Sequence, residues 1–128
     1  MKALVTGATG FTGGHLARAL ARRGEQVRAL VRRPDTARDL AAAGIEVVQG
    51  DLERREDLAG VVRGVEIVYH VAALYRQAGL PEAVYHRVNA ESAGWIVEAA
   101  ADGGVRRVVH CSTVGVHGDI EHPPANED

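Results

Sequence analysis

The sequence predicts an α/β fold, a doubly wound parallel sheet of five strands in the order 3-2-1-4-5 with helices on both faces. Three observations carry that expectation. Short apolar runs alternate with stretches of helical period along the whole chain, and short connections join them, which is how a parallel sheet with helical crossovers is encoded. The first apolar run, Ala3-Leu4-Val5, leads into Thr6-Gly7-Ala8-Thr9-Gly10-Phe11-Thr12-Gly13, a glycine turn followed at once by a helical pattern. Glycine then recurs where each later helix should stop, at Gly24, Gly44, Gly64 and Gly103-Gly104. Right-handed crossovers set the strand order, and the crevice between strands one and four becomes the switch point at which ligands bind.

In order, the first helix carries Leu16, Ala17, Leu20 and Ala21 on one face and Arg18 and Arg22 on the other, and it ends at Gly24. Strand two is Gln26 to Val31 and delivers Arg32 and Arg33 just before Pro34. A helix over about Thr36 to Ala43 is stopped by Gly44, and strand three, Ile45 to Gln49, ends in Gly50-Asp51-Leu52. A short helix over about Arg54 to Arg63 has Leu58, Val61 and Val62 at helical spacing. Strand four, Val65 to His70, continues into Val71-Ala72-Ala73, and Leu74 to Pro81 has no period and reads as a loop. The longest helix runs from about Glu82 to Asp102 with Val84, Val88, Ile96 and Val97 inward. Strand five, Val105 to Cys111, opens onto Ser112-Thr113, and Ile120 to Asp128 is polar and aperiodic.

At 128 residues, with 46% hydrophobic and 25% charged residues, the chain is one domain able to bury a core. A net charge of −2 gives no field that would recruit nucleic acid or an anionic membrane. The lone Cys111 excludes an internal disulfide and fits a reducing compartment. With no apolar stretch of membrane-spanning or signal-peptide length, cytoplasm is expected. The six histidines are scattered, none at metal-site spacing, so no metal is expected.

The glycine turn reads as a pyrophosphate site. Gly7 permits the tight exit from the strand, Gly10 lets the backbone approach the phosphates, and Gly13 lets the helix pack closely on the strand. The amide N–H groups of Phe11 and Thr12 at the helix start then face the anion. At the end of strand two a carboxylate would select the free 2′-hydroxyl of NAD, whereas arginine accommodates the 2′-phosphate of NADP. Arg32 and Arg33 stand there, so NADP is favoured over NAD, although Asp35 could also reach the ribose and restore NAD. Asp51 is placed to accept a hydrogen bond from the adenine amino group, with the Leu52 backbone beside it; Gly-Asp after a strand is also a common turn.

Taken together, T-G-A-T-G-F-T-G at Thr6 to Gly13, G-D-L at Gly50 to Leu52, H-V-A-A at His70 to Ala73, V-N at Val88-Asn89 and S-T-V-G-V-H-G at Ser112 to Gly118 resemble the extended short-chain dehydrogenase/reductase family. The family includes nucleotide-sugar epimerases, sugar dehydratases and dihydroflavonol-reductase-like enzymes, and its fold is Rossmann-like. V-R-A-L-V-R-R-P with H-V-A-A is most similar to the dihydroflavonol-reductase-like and hopanoid-associated sugar-epimerase branch. The resemblance implies that Val71, Ala72 and Ala73 line the cofactor toward the nicotinamide, and that Asn89 is a structural or proton-relay residue near the active site. It implies that Thr113 polarises the reacting oxygen of a small-molecule substrate, a nucleotide sugar or related hydroxyl or ketone compound, with Ser112 near the nicotinamide. His117 replaces the usual tyrosine of V-Y-G, and His70 and His110 read as hydrogen-bonded structural residues.

The Tyr-x-x-x-Lys of that family, whose tyrosine exchanges the proton and whose lysine lowers its pKa, occurs nowhere in the chain. The expected organisation is therefore an incomplete NAD(P)-binding domain over residues 1–118, with 119–128 beginning a loop toward an absent C-terminal part. Alone, such a chain would bind dinucleotide and turn nothing over, and the full-length enzyme would be a homodimer. The competing class is a non-catalytic NAD(P) sensor of the atypical branch of the family, against which Ser112-Thr113 argues.

Overall fold

The computed structural model describes residues 1–75, 77–113 and 118–119; His117 and the segment from Ile120 to Asp128 lie outside the described residues. Lys2–Thr6 forms β1, Phe11–Arg22 α1 and Gln26–Val31 β2. A 3-10 turn over Pro34–Ala37 leads into a short α2, Arg38–Ala42, and Glu46–Gln49 is β3. Next come α3 (Arg55–Val61), β4 (Ile67–His70), α4 (Glu82–His86), a π turn (Arg87–Glu91), α5 (Ser92–Asp102) and β5 (Arg107–His110). Every pairing is parallel and the order is β3-β2-β1-β4-β5, as the sequence predicts.

Alternate strand side chains go to opposite faces of the sheet. Leu4, Leu30 and Val68 meet Leu58, Val61, Ile96 and Ala100 under α3 and α5. On the other face Val5, Val27 and Val31 meet Ala17 and Leu40 under α1 and α2. Burial on both faces is why the strands read as continuous apolar runs, and each buried Leu, Ile or Val side chain contributes about 1.5–3 kcal/mol.

Strands three and five begin later than their apolar runs. The Ile45 N–H donates to the Leu40 carbonyl at 3.1 Å and the Gly44 N–H to Ala41 at 3.0 Å; Val105 and Gly104 do the same to Ala100 and Ala101 at 2.9 and 3.2 Å. These are left-handed helix caps, with Gly44 at φ +77° and Gly104 at φ +72°. An amide committed to a helix carbonyl is withdrawn from the strand ladder, so pairing starts further on. The predicted helix over Thr36 to Ala43 is likewise broken into the 3-10 turn and α2. There the Thr36 hydroxyl and N–H both donate to the Arg33 carbonyl, at 2.7 and 3.1 Å, a local bond that competes with a regular helix start.

The longest helix departs most from expectation. Val97 is 50% exposed, and the inward residues of α5 are Ser92, Ile96 and Ala100. Positions four apart drift by about 40° per step on an ideal α-helix. The π turn at Arg87–Glu91 absorbs that drift by widening one turn, so half-buried Val88 is followed inward at Ser92 and Ile96. Val97, nine residues past Val88 and about 180° round an ideal helix from it, lies on the outer face.

Candidate active site

The strand registers bring the predicted residues to one edge. Thr6 pairs with Leu30 and with His70, His70 pairs with His110, and Val31 pairs with Gln49. The residues that follow, Gly50, Arg32, Gly7, Val71 and Cys111, therefore line up across the carboxyl ends of all five strands.

At the centre, Gly7 has φ +71°, and a Cβ on it would lie 2.8 Å from the Ala72 nitrogen. A Cβ on Gly13 would lie 2.2 Å from the Gly7 carbonyl oxygen. These two contacts weld the turn to the start of α1 and to the strand-four exit. Gly10 differs: a Cβ there would meet only the Gly7 oxygen, at 3.3 Å, so the turn's outer side is open. The Gly10 cap supplies no side-chain hydrogen bond, and the first turn of α1 carries no acid. Its leading N–H groups, including those of Phe11 and Thr12, are thus donors at the positive end of a 12-residue helix. An open backbone cradle with amide donors and no carboxylate in the first helical turn fits a dinucleotide pyrophosphate. Thr9, Gly10 and Phe11 border a cavity of about 240 Å³ with His15, Arg18, Thr36 and Asp39.

A fully buried hydroxyl holds the turn to the opposite wall. Thr6 Oγ1 accepts hydrogen bonds from the Val71 and Ala72 N–H groups, both at 3.2 Å, and lies 2.8 Å from His70 Nδ1. With both lone pairs engaged, the hydroxyl donates to His70, which leaves the imidazole proton on Nε2. His70 is buried, its Nε2 finds no partner among the described residues, and its ring stacks on His110 at 5.3 Å. Burial, and secondarily the His110 charge, push its pKa down from 6.5 to about 4. His70 is a structural residue, as the sequence reading has it.

Further along, Asn89 clamps the loop that follows Ala73. Its Oδ1 accepts the Leu74 N–H at 2.7 Å and its Nδ2 donates to the Leu74 carbonyl at 2.9 Å. Tyr85 repeats the device, accepting the Gln77 N–H at 2.8 Å and donating to the Gln77 carbonyl at 2.6 Å. Of the two roles implied for Asn89, both side-chain termini serve the structural one. Ser112 and Thr113 are exposed just past β5, where the Cys111 N–H continues the pairing to the His70 carbonyl at 2.9 Å.

At the adenosine end, Arg32 and Arg33 are exposed immediately after β2. Asp51 is half-buried; its Oδ1 accepts the Glu53 N–H at 3.0 Å and its own N–H donates to Asp57 at 2.9 Å. The carboxylate therefore builds its turn through Oδ1. Sequence reading missed the Thr6–His70 lock, the paired clamps of Asn89 and Tyr85, and the Arg18–Asp39 ion pair beside the glycine turn. A threonine ahead of the first glycine and a histidine closing strand four were the available signals for the first; nothing local marks the others.

The pattern of the NAD(P)H-binding family matches residues 7–127. The chain is 39% identical over 119 residues to the 4-hydroxy-2-methyl-3-oxo-4-farnesyl-3,4-dihydroquinoline-1-oxide ketoreductase of Stigmatella aurantiaca, covering 93% of this chain and 35% of that protein. It is 39% identical over 127 residues to sterol demethylase protein B of Methylococcus capsulatus, covering 99% and 39%. Among solved structures, a short-chain dehydrogenase/reductase superfamily protein from Agrobacterium tumefaciens with bound NAD is similar at 32% identity and a TM-score of 0.86. That match covers all of this chain and 38% of the other. The chain thus spans little more than a third of the length of these relatives.

Proposed function

The chain belongs to the NAD(P)H-binding family, among the short-chain dehydrogenases/reductases, and from that premise we propose that it is the cofactor-binding portion of an NADP-preferring ketone reductase or hydroxyl dehydrogenase. One observation carries the proposal. The open glycine cradle, the Val71–Ala73 wall pinned to it through Thr6, and the hydroxyls of Ser112 and Thr113 all stand on one line of strand ends.

In this reading the amides at the start of α1 bind the pyrophosphate, Asp51 and Leu52 flank the adenine, and Arg32 and Arg33 approach the 2′-phosphate. Val71, Ala72 and Ala73 orient the nicotinamide end. When bound, NAD(P)H supplies the hydride. Thr113 donates a hydrogen bond to the substrate oxygen, where a neutral donor stabilises developing charge without attacking it, and Ser112 supports it. Asn89 holds the Leu74 loop beside that oxygen. A carbonyl on an apolar framework is the favoured substrate, in keeping with the farnesyl-bearing ketone named for one relative and the sterol named for another. The 128 residues alone bind cofactor without turnover, since no Tyr-x-x-x-Lys is present to exchange the proton. Pairing of the longer protein as a homodimer would use the outer face of α5, where Val97 is exposed.

The test is twofold. Calorimetric titration of the chain with NADP and NAD should show tighter binding of NADP; equal binding would refute the reading of Arg32 and Arg33. A protein extended through its downstream reading frame should oxidise NADPH with a long-chain or polycyclic ketone, and Thr113→Val should lower kcat by about a hundredfold. Turnover of a nucleotide sugar instead would restore the epimerase reading, and a downstream frame lacking Tyr-x-x-x-Lys would favour the sensor.

A further inference from the structure

Neither Arg32 nor Arg33 lines the cavity that adjoins the glycine turn. Its polar walls come from Thr9 and Gly10 on the turn, His15 and Arg18 on α1, and Thr36 and Asp39 from the 3-10 turn and α2. We propose that Arg18, held at this cavity by Asp39, is a specificity-determining residue that receives the 2′-phosphate of NADP. The inference rests on the dinucleotide reading of the glycine turn and goes beyond it by assigning a cation that the strand-two rule does not point to.

Position comes first. The 3-10 turn follows β2 by two residues, so one wall of the cavity is the segment beside which the adenosine ribose is read. The opposite wall is the first two turns of α1, next to the pyrophosphate cradle. With the pyrophosphate on the helix start, a substituent on the ribose 2′ oxygen would have the space between these walls to enter. At about 240 Å³ the cavity has room for a phosphate and its water.

Chemistry comes second. Arg18 Nη2 is bonded to Asp39 Oδ2, while Nη1 folds back toward the helix start, where a Cβ on residue 14 would lie 3.0 Å from it. Gly14 thus leaves the gap that the guanidinium occupies. Asp39 engages one of five N–H donors, so the others remain available to an anion. The Asp39 side chain is 62% exposed, and an ion pair so open to water contributes little. A phosphate dianion, which guanidinium binds through two parallel hydrogen bonds, can therefore take Arg18 over from the carboxylate at small cost. Asp39 both orients Arg18 and opposes the incoming charge, so its neutralisation should favour NADP.

The experiment titrates the chain calorimetrically with NADP, NAD and 2′,5′-ADP, in wild type and in Arg18→Gln, Asp39→Asn and Arg32→Gln variants, with melting curves run in parallel. Arg18→Gln is expected to weaken NADP and 2′,5′-ADP by about tenfold, the loss of one charge-assisted pair, and to leave NAD within about twofold. Asp39→Asn is expected to tighten NADP and not NAD. If wild type prefers NADP, Arg32→Gln abolishes the preference and Arg18→Gln does not, the assignment of Arg18 is overturned while the cofactor reading stands. If wild type binds both nucleotides equally and Arg18→Gln changes neither, both are overturned. Should Arg18→Gln fail to fold, unchanged NADP affinity in Asp39→Asn overturns the assignment by itself.

Discussion

Replacing Thr6 by valine removes one oxygen from the point on which the crevice turns. The side chain is fully buried and nearly isosteric with valine, so the packing against its neighbours is conserved. Lost are the acceptor for the Val71 and Ala72 N–H groups and the donor to His70 Nδ1. A buried polar group left unsatisfied costs about 1–3 kcal/mol. His70 Nδ1 incurs that in full, whereas the half-buried Val71 and Ala72 amides recover part of it from water. The sum is about 3 kcal/mol, which for a domain of this size lowers Tm by about 10 °C. Thr6→Ser is the control: it keeps the hydroxyl and gives up one buried methyl group, about 1 kcal/mol. Urea and thermal unfolding followed by circular dichroism should rank wild type, serine and valine in that order. Dinucleotide affinity should fall further in the valine variant, because the Val71–Ala73 wall is no longer fixed against Gly7. Equal stability of valine and wild type, or serine below valine, would refute the assignment of the hydroxyl as the lock.

Three further outcomes follow from neighbouring geometry. Gly13→Ala places a Cβ 2.2 Å from the Gly7 carbonyl, so α1 must move off the turn; we expect about 3 kcal/mol of destabilisation and loss of measurable NADP binding by calorimetry. Asn89→Ala releases both hydrogen bonds to Leu74; in the downstream-extended protein KM for the ketone should rise severalfold with NADP affinity unchanged, and an equal loss of NADP affinity would contradict the clamp. His70 has its pKa depressed from 6.5 to about 4, so the unfolded chain binds more protons between those values. Stability is complete above about pH 6.5 and declines as pH falls toward 4, by up to about 3 kcal/mol. Glu46, held below the usual carboxylate range chiefly by its hydrogen bond from Arg28, adds a loss of the same sign at lower pH. His70→Asn should flatten the upper part of that curve in unfolding titrations from pH 4 to 7.

The parts of the fold set by short-range rules were legible in the chain. Apolar alternation fixed the sheet, and the glycines at 24, 44, 64 and 104, all at positive φ, marked the helix ends. Legibility ended where an amide is shared between neighbours. Ile45 and Val105 look like strand residues and are apolar enough to be, yet their N–H groups close helix caps. Val97 was misplaced because apolarity was followed instead of period: nine residues past Val88 it stands about 180° round an ideal helix from it, and it is exposed. The widening at Arg87–Glu91 and the Asn89 bonds to Leu74 depend on a loop whose path no local spacing encodes. Arg28 is a similar case: it reads as a polar interruption of strand two, and it donates to the Val61 and Arg63 carbonyls at the end of α3, a tertiary helix cap between elements 33 and 35 residues apart.

The division of the site between rigid and yielding parts bears on how the cofactor would be selected. The proposed pyrophosphate end is built from backbone, with close Gly7–Ala72 and Gly13–Gly7 approaches; such a cradle would take any dinucleotide and not choose among them. Choice must lie with side chains able to move. At the proposed adenosine end these would be Arg18 on α1, Asp39 on α2, and Arg32 and Arg33 between β2 and the 3-10 turn. A half-buried arginine already confined against Gly14 is better prepared for phosphate than one extended into water, because part of its rotamer entropy is lost before binding. Among the described residues Arg32 and Arg33 make no side-chain hydrogen bond or ion pair like that of Arg18, so under the proposed assignment Arg18 would be the deeper contact and the strand-two arginines would draw the phosphate in.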